Sequence, residues 1–133
     1  MKINKLHFYF GLATFTGFVI TGILMRINFF DVDHRDIQTR IMFRSNHIYI
    51  LLASVIHLVI SFLDSDRCIR WIMKTGSLLT ILSTITLYIA FYIDPITRSI
   101  QRDITRFSIV GLFAGSIIVL MSYKFFPRKN SNV

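Results

Sequence analysis

The stretch Ser45–Leu63, SNHIYILLASVIHLVISFL, decides the predicted fold. Its length is close to the roughly 20 apolar residues that a helix needs to cross a bilayer. On a helical wheel of about 100° per residue, its two histidines, His47 and His57, share an arc of about 80° with two serines. A polar stripe on a membrane helix faces protein or a water-filled cavity, because a polar group that faces lipid stays unpaired. We therefore expect the other helices to pack around this one.

Three further apolar runs of similar length occupy most of the remaining chain. The four predicted spans cover residues 5–26, 46–63, 71–93 and 106–126. Because 53% of the 133 residues are hydrophobic and most lie in these runs, no sizeable soluble domain remains. The sequence therefore predicts an all-α integral membrane protein, a four-transmembrane-helix bundle that forms one domain over residues 1–133.

Two short amphipathic segments are predicted to lie along the membrane interface, one before the second span and one before the fourth. In the first segment, Arg40 and Arg44 share one helix face and isoleucines share another. The second segment follows Asp94 and Pro95, since an Asp cap with Pro at the first helical position is typical of a helix start. We expect both segments on the same side of the membrane.

The charged residues indicate a membrane partner and an orientation. Of the 15 lysines and arginines behind the net charge of +8, all but Lys74 lie outside the apolar runs or at their ends. We therefore expect anionic lipid headgroups, and no nucleic acid, as partners. Four spans place both termini on one face, named side A, and the opposite face is side B. Side A holds eight lysines and arginines and side B holds seven, so the positive-inside rule scarcely discriminates between the two faces. All five lysines fall on side A and five of the seven aspartates on side B, which favours cytoplasmic termini in a bacterial inner membrane.

Four histidines are the candidate cofactor ligands. His57 and His7 are predicted near side A, and His47 and His34 near side B. Two neutral imidazoles can ligate the iron of one haem b, so each pair is a candidate set of axial ligands. The alternative is a buried histidine that hydrogen-bonds a serine or a backbone carbonyl and fixes the packing of the bundle. Contacts with an ion, a quinone or a partner protein also remain open.

Arginines cluster at the side-B ends of the spans and form a predicted arginine rim. Arginine pairs with carboxylate or phosphate through two parallel hydrogen bonds, so the rim is a candidate site for haem propionates or another anion. Anchoring to lipid headgroups is the alternative. The rim consists of Arg40, Arg44, Arg98, Arg102 and Arg106.

Small residues recur at helical spacing in the first and last spans. Such stripes let membrane helices approach each other closely. In the fourth span they form a GxxxG motif, which can pack inside this bundle or against a second copy of the chain. The predicted packing residues are Gly11, Thr14, Gly17 and Thr21 in the first span, and Gly111 and Gly115 in the fourth.

The sequence favours a non-catalytic protein. It has no phosphate-binding glycine loop, no CxxC or HExxH motif and no dinucleotide fingerprint. His57, Ser61 and Asp64 follow one helix face, and a row of this kind does not place a base between a nucleophile and an orienting acid.

Three functions remain open. The first is an accessory or assembly component that packs against itself or against a larger membrane complex. The second is a b-type haem or quinone protein for electron transfer that uses His57 and His47. The third is a small oligomeric transporter of an ion or solute, which requires polar groups along a path through the membrane.

Overall fold

The computed structural model describes residues 3–29, 37–63, 70–97 and 102–124, and these residues form four α-helices. Each helix is long and apolar enough to cross a membrane, which is consistent with an integral membrane protein. The predicted all-helical, four-helix architecture is therefore confirmed. The helices are α1 (Ile3–Phe29), α2 (Ile37–Ser61), α3 (Arg70–Thr97) and α4 (Asp103–Lys124).

Neighbouring helices run antiparallel, and α2 joins the two halves of the bundle. The Nδ2 of Asn4 near the start of α1 donates to the carbonyl oxygen of Leu63, just beyond α2, at 2.6 Å. Near the other end of α2, the Nδ2 of Asn46 donates to the carbonyl oxygen of Ala90 in α3 at 3.0 Å. We keep the names side A for the end with Asn4 and side B for the end with Asn46. Helix α1 packs mainly on α2, and α3 packs mainly on α4.

The bundle buries many small and polar side chains beside a few large apolar ones, and most of its large apolar residues are exposed. Buried hydroxyl-bearing residues such as Thr80 and Ser116 donate to the carbonyl four residues earlier, which satisfies them within their own helix. In contrast, Phe107 and Ile23 are 78% and 54% exposed. This distribution is the reverse of that in a water-soluble bundle, and it is expected where the surroundings are hydrocarbon.

Glycines bring α3 and α4 into backbone contact. A Cβ atom added to Gly115 would lie 2.8 Å from the carbonyl oxygen of Gly76 and 2.8 Å from the amide nitrogen of Thr80. The first glycine of the GxxxG motif, Gly111, faces the hydroxyl of Ser83. The motif therefore packs inside the chain, against α3.

The packing residues predicted in the first span lie on the buried side of α1. Gly11 meets His57 and Leu58 of α2, and Gly17 meets the phenol of Tyr88 in α3. The two threonines of the stripe, Thr14 and Thr21, are each 3% exposed.

The two interfacial segments are not seen as separate elements. Residues 37–45, which hold Arg40 and Arg44, are the first turns of α2 and continue into the predicted span without a break. Residues 30–36 and 98–101, which complete the two predicted segments, lie outside the described residues.

The predicted helix boundary at Pro95 is wrong, because α3 continues through this residue to Thr97. A proline inside a helix removes one hydrogen bond to the carbonyl four residues earlier. Here it lies in the last turn, where little helix follows. The hydroxyl of Thr97 lies 3.2 Å from the carbonyl oxygens of both Ile93 and Asp94, so it can satisfy one of the last carbonyls of the helix.

Candidate functional site

A pair of histidines lies inside the bundle towards side A. His7 of α1 and His57 of α2 are both fully buried, and their Nδ1 atoms are 2.7 Å apart. The two rings stack at an interplanar angle of 27°, and Phe10 contacts His57 edge-on at a centroid distance of 4.8 Å. We name this feature the histidine pair. It joins two helices through a direct hydrogen bond between imidazoles.

The hydrogen bonds of the pair run in one direction. The hydroxyl of Thr84 in α3 donates to the carbonyl of Thr80, so its oxygen accepts the N–H of His57 Nε2, 3.0 Å away. A neutral imidazole has one donor and one acceptor, so His57 Nδ1 then accepts from His7 Nδ1–H. This order leaves His7 Nε2 as a lone-pair acceptor, and it is buried without a hydrogen-bond partner.

The histidine pair does not fit the predicted haem ligation. Two axial imidazoles must hold an iron, and with it the porphyrin plane, between their nitrogens. The two Nδ1 atoms are at direct hydrogen-bond distance, which leaves no room for that plane. The other nitrogen of His57 is already bonded to Thr84. No haem chemistry is therefore assigned to His7 and His57.

His47 packs against α1 on the side-B half of the bundle. Its Nδ1 lies 3.0 Å from the hydroxyl of Thr21, and its ring stacks on Phe18 at a centroid distance of 4.1 Å. A Cβ atom at Gly22 would lie 3.2 Å from this ring, so the glycine makes room for it. His34, the predicted partner of His47, lies outside the described residues.

A second polar site joins α2, α3 and α4 at side B. The hydroxyl of Thr105 donates to the carboxylate of Asp94, which is only 3% exposed, and lies 3.0 Å from Asn46 Oδ1. The guanidinium of Arg102 donates to the same amide oxygen, and its Nε lies 3.8 Å from Asp94 Oδ2. We name these four residues the Asp94 cluster.

Arg102 occupies an unusual backbone conformation that serves this cluster. Its φ angle is 47°, in the left-handed region that side chains other than glycine rarely adopt. Its carbonyl accepts the amide of Arg106 at 3.0 Å, which closes the first turn of α4. Such a conformation costs on the order of 1 kcal/mol and persists where the surroundings determine it. Here the contacts of the guanidinium with Asn46 and Asp94 supply that constraint.

The predicted arginine rim is divided by the structure. Arg102 belongs to the Asp94 cluster, whereas Arg44 and Arg106 are exposed and Arg40 is half-buried. Arg98 lies outside the described residues, as does Asp64. The structure therefore gives Arg102 a role inside the protein and leaves Arg44 and Arg106 on the surface.

An apolar layer lies between the two polar sites. Ala53, Leu87 and Leu112 are fully buried and contact one another at the meeting point of α2, α3 and α4. Tyr49, Ile56 and Ile109 pack against them. Along α2, Ala53 of this layer lies between Asn46 and His57.

Sequence reasoning missed three members of the Asp94 cluster. Asn46 stands beside His47 at the start of an apolar run, and a fully buried amide of this kind is a signal for a polar partner on another helix. Asp94 was interpreted only as a helix cap, and Thr105 was not singled out. Their contact depends on how residues 98–102 connect α3 to α4, which no local pattern specifies.

The direction of the hydrogen bonds predicts that the two histidines differ in their contribution to stability. His57→Leu removes two hydrogen bonds and leaves the N–H of His7 unpaired. His7→Leu removes one hydrogen bond and the unpaired His7 Nε2, and it leaves His57 Nδ1 without a donor, so the number of unpaired buried atoms does not rise. We expect His57→Leu to lower the free energy of unfolding by about 1–3 kcal/mol more than His7→Leu, the cost of an unsatisfied buried donor. Reversible unfolding in mixed detergent micelles measures the difference, and equal losses would contradict the assigned direction.

The chain matches no protein-family model, and neither a curated protein nor a solved structure matches it.

Proposed function

We propose that the four helices cross a membrane and that the protein is a non-catalytic assembly component, which associates with a second copy of itself through α1. A larger membrane complex is the setting in which such a unit would act. One observation carries this proposal, namely a row of half-exposed, large apolar side chains on α1 at a spacing typical of helix pairs.

The row follows a heptad pattern. Its members are separated by four, three and four residues, which is the repeat that keeps a narrow seam facing a second helix. The row lies within a wider exposed apolar face of α1, which also includes Tyr9, Ile20 and Ile23. We name this row the α1 seam, and its members are Phe8 (44% exposed), Leu12 (50%), Phe15 (42%) and Val19 (43%).

The position of α1 supports the same proposal. Helix α1 packs mainly on α2, so it lies at the edge of the bundle. Its small residues, including Gly11 and Gly17, already contact other helices of the chain. Association through α1 therefore uses the larger side chains of the seam and leaves the internal packing intact.

A cysteine cross-link tests the association. In a Cys68→Ser background, Leu12→Cys is introduced into the protein in lipid nanodiscs or native membranes. Two copies that insert in the same orientation and pair symmetrically bring identical residues together at the two-fold axis. We expect Leu12→Cys to form disulfide-linked dimers under mild oxidation.

Leu82→Cys is the matched control, because Leu82 of α3 is 51% exposed, as Leu12 is at 50%. It lies on a different helix and should remain monomeric. No dimer from Leu12→Cys, or equal amounts from both variants, would contradict association through the α1 seam.

We further propose the bacterial inner membrane, with side A in the cytoplasm. The described lysines, Lys5, Lys74 and Lys124, belong to helix ends at side A. The described arginines at side B are Arg26, Arg40, Arg44, Arg102 and Arg106. Lysines and arginines together nearly balance between the two sides, so this orientation rests on the lysines alone.

Electron transfer and transport are not part of this proposal. The histidine pair does not fit a haem, as described above. The centre of α2, α3 and α4 is filled by the apolar side chains of Ala53, Leu87 and Leu112.

A further inference from the structure

An open groove of about 310 Å³ lies at side A, between the first turns of α1 and the end of α2. It occurs where two helices end, the depth at which lipid headgroups meet the acyl chains in a spanning protein. The described residues that line it combine aromatic rings with polar side chains, and none of these six is acidic. They are Asn4, Lys5, Phe8, Tyr9, Ser61 and Phe62.

The walls of the groove are aromatic and open to the surroundings. Phe62 is 83% exposed, Tyr9 is 62% exposed and Phe8 is 44% exposed. Aromatic side chains at a membrane interface contact the upper part of acyl chains, and tyrosine also presents a hydroxyl to the headgroups. These walls suit an amphipathic molecule with an apolar tail.

Lys5 makes the groove complementary to an anion, because its side chain is exposed and supplies a positive charge. Asn4 takes no part in ligand binding. Its Nδ2 donates to the carbonyl oxygen of Leu63, and its Oδ1 is buried away from the groove surface. A ligand that fits the groove therefore carries a negative charge for Lys5.

We propose that this groove binds one anionic phospholipid. The phosphate pairs with Lys5, and an acyl chain lies along Phe8 and Phe62. The basic composition predicts attraction to anionic lipid, and the groove gives one position at which such a lipid binds. It does not depend on association through the α1 seam, although Phe8 borders both surfaces.

Native mass spectrometry of the detergent-purified protein tests the site with defined lipids. Dioleoyl phosphatidylglycerol is titrated into the wild-type protein and into Lys5→Gln and Lys74→Gln variants. Lys74 is also exposed and near side A, but it belongs to α3 and does not line the groove. We expect Lys5→Gln to weaken binding of the first lipid about fivefold, the effect of one lysine near an anionic headgroup, and Lys74→Gln to leave it within about twofold.

Two further probes separate the features of the ligand. Dioleoyl phosphatidylcholine, which has the same acyl chains but no net charge, should bind the wild-type protein about fivefold more weakly than dioleoyl phosphatidylglycerol. Glycerol 3-phosphate, which lacks acyl chains, should not displace the phospholipid. Lys5 is exposed, so its substitution should not change the helical circular dichroism of the protein.

Several results would overturn the proposal. They are equal weakening by Lys5→Gln and Lys74→Gln, equal affinity for the two phospholipids, displacement by glycerol 3-phosphate, or no bound lipid at all. The Leu12→Cys cross-link is unaffected by these outcomes, so failure of the lipid site and failure of the proposed assembly are distinguishable.

Discussion

Gly115→Ala is expected to lower the free energy of unfolding by about 3 kcal/mol, at the upper end of the cost of overpacking. The added methyl would lie 2.8 Å from the carbonyl oxygen of Gly76 and 2.8 Å from the amide nitrogen of Thr80. Both are backbone atoms, so a side-chain rotation cannot relieve the contact and α3 must move away from α4. Unfolding of the purified protein by denaturant in mixed micelles measures the loss.

Gly111→Ala is the matched control within the same motif. There the new methyl meets the hydroxyl of Ser83, the end of a side chain that can rotate away. Alanine also favours a helix over glycine by about 1 kcal/mol, which offsets part of the cost. We expect a change of less than about 1 kcal/mol. An equal loss of stability in both variants would contradict the close approach of the α3 and α4 backbones at Gly115.

Arg102→Gln is expected to lower the free energy of unfolding by about 1–3 kcal/mol, the cost of leaving a buried polar group without its partner. Asp94 is 3% exposed and would lose the guanidinium beside it, whereas the side chain of Arg102 is 20% exposed and its Nε lies 3.8 Å from Asp94 Oδ2. Asn46 Oδ1 would also lose a donor. Arg106→Gln is the control, because Arg106 is exposed in the next turn of α4 and should change stability by less than about 0.5 kcal/mol.

A double variant separates the lost attraction from the cost of the orphaned charge. Adding Asp94→Asn to Arg102→Gln removes the unpaired carboxylate, so we expect it to restore part of the lost stability. The alternative outcome is that Asp94→Asn lowers the free energy of unfolding by the same amount in the Arg102→Gln background as in the wild-type protein. Asp94 and Arg102 would then be energetically independent. That result would contradict the Asp94 cluster as described.

The helices and their buried faces were largely predictable, because both depend on local sequence. The length of an apolar run determines whether a helix can span a bilayer. The period of 3.6 residues determines which side chains share a face, as with His7, Gly11 and Thr14. The structure places these three residues on the buried side of α1.

The helix ends were less predictable, since continuing a helix or breaking it differs by little free energy. The polar residues 37–45 are compatible with either a separate interfacial helix or an extension of α2, and the structure shows the extension. Asp94 followed by Pro95 is a good start signal, yet Asp94 is instead held by Thr105 and Arg102 inside the bundle.

Contacts between helices could be predicted only in part. Placing His7 and His57 near side A followed from sequence, but a direct hydrogen bond at 2.7 Å depends on the rotation of two helices and on the space left by Gly11. Whether two imidazoles bond each other or flank a haem is decided by a difference of a few ångströms. Sequence spacing does not resolve distances of that size.

The order in which the helices pack has a consequence for biosynthesis. The most extensive contacts join α1 to α2 and α3 to α4, which are consecutive in the chain. Bringing together two helices that are close in sequence costs little loop-closure entropy. Each helical hairpin can therefore form as soon as its second helix has been synthesised. The histidine pair of α1 and α2 can therefore form before α3 is made, whereas the Asp94 cluster must wait for α4. Packing of the helices would then be completed last at side B.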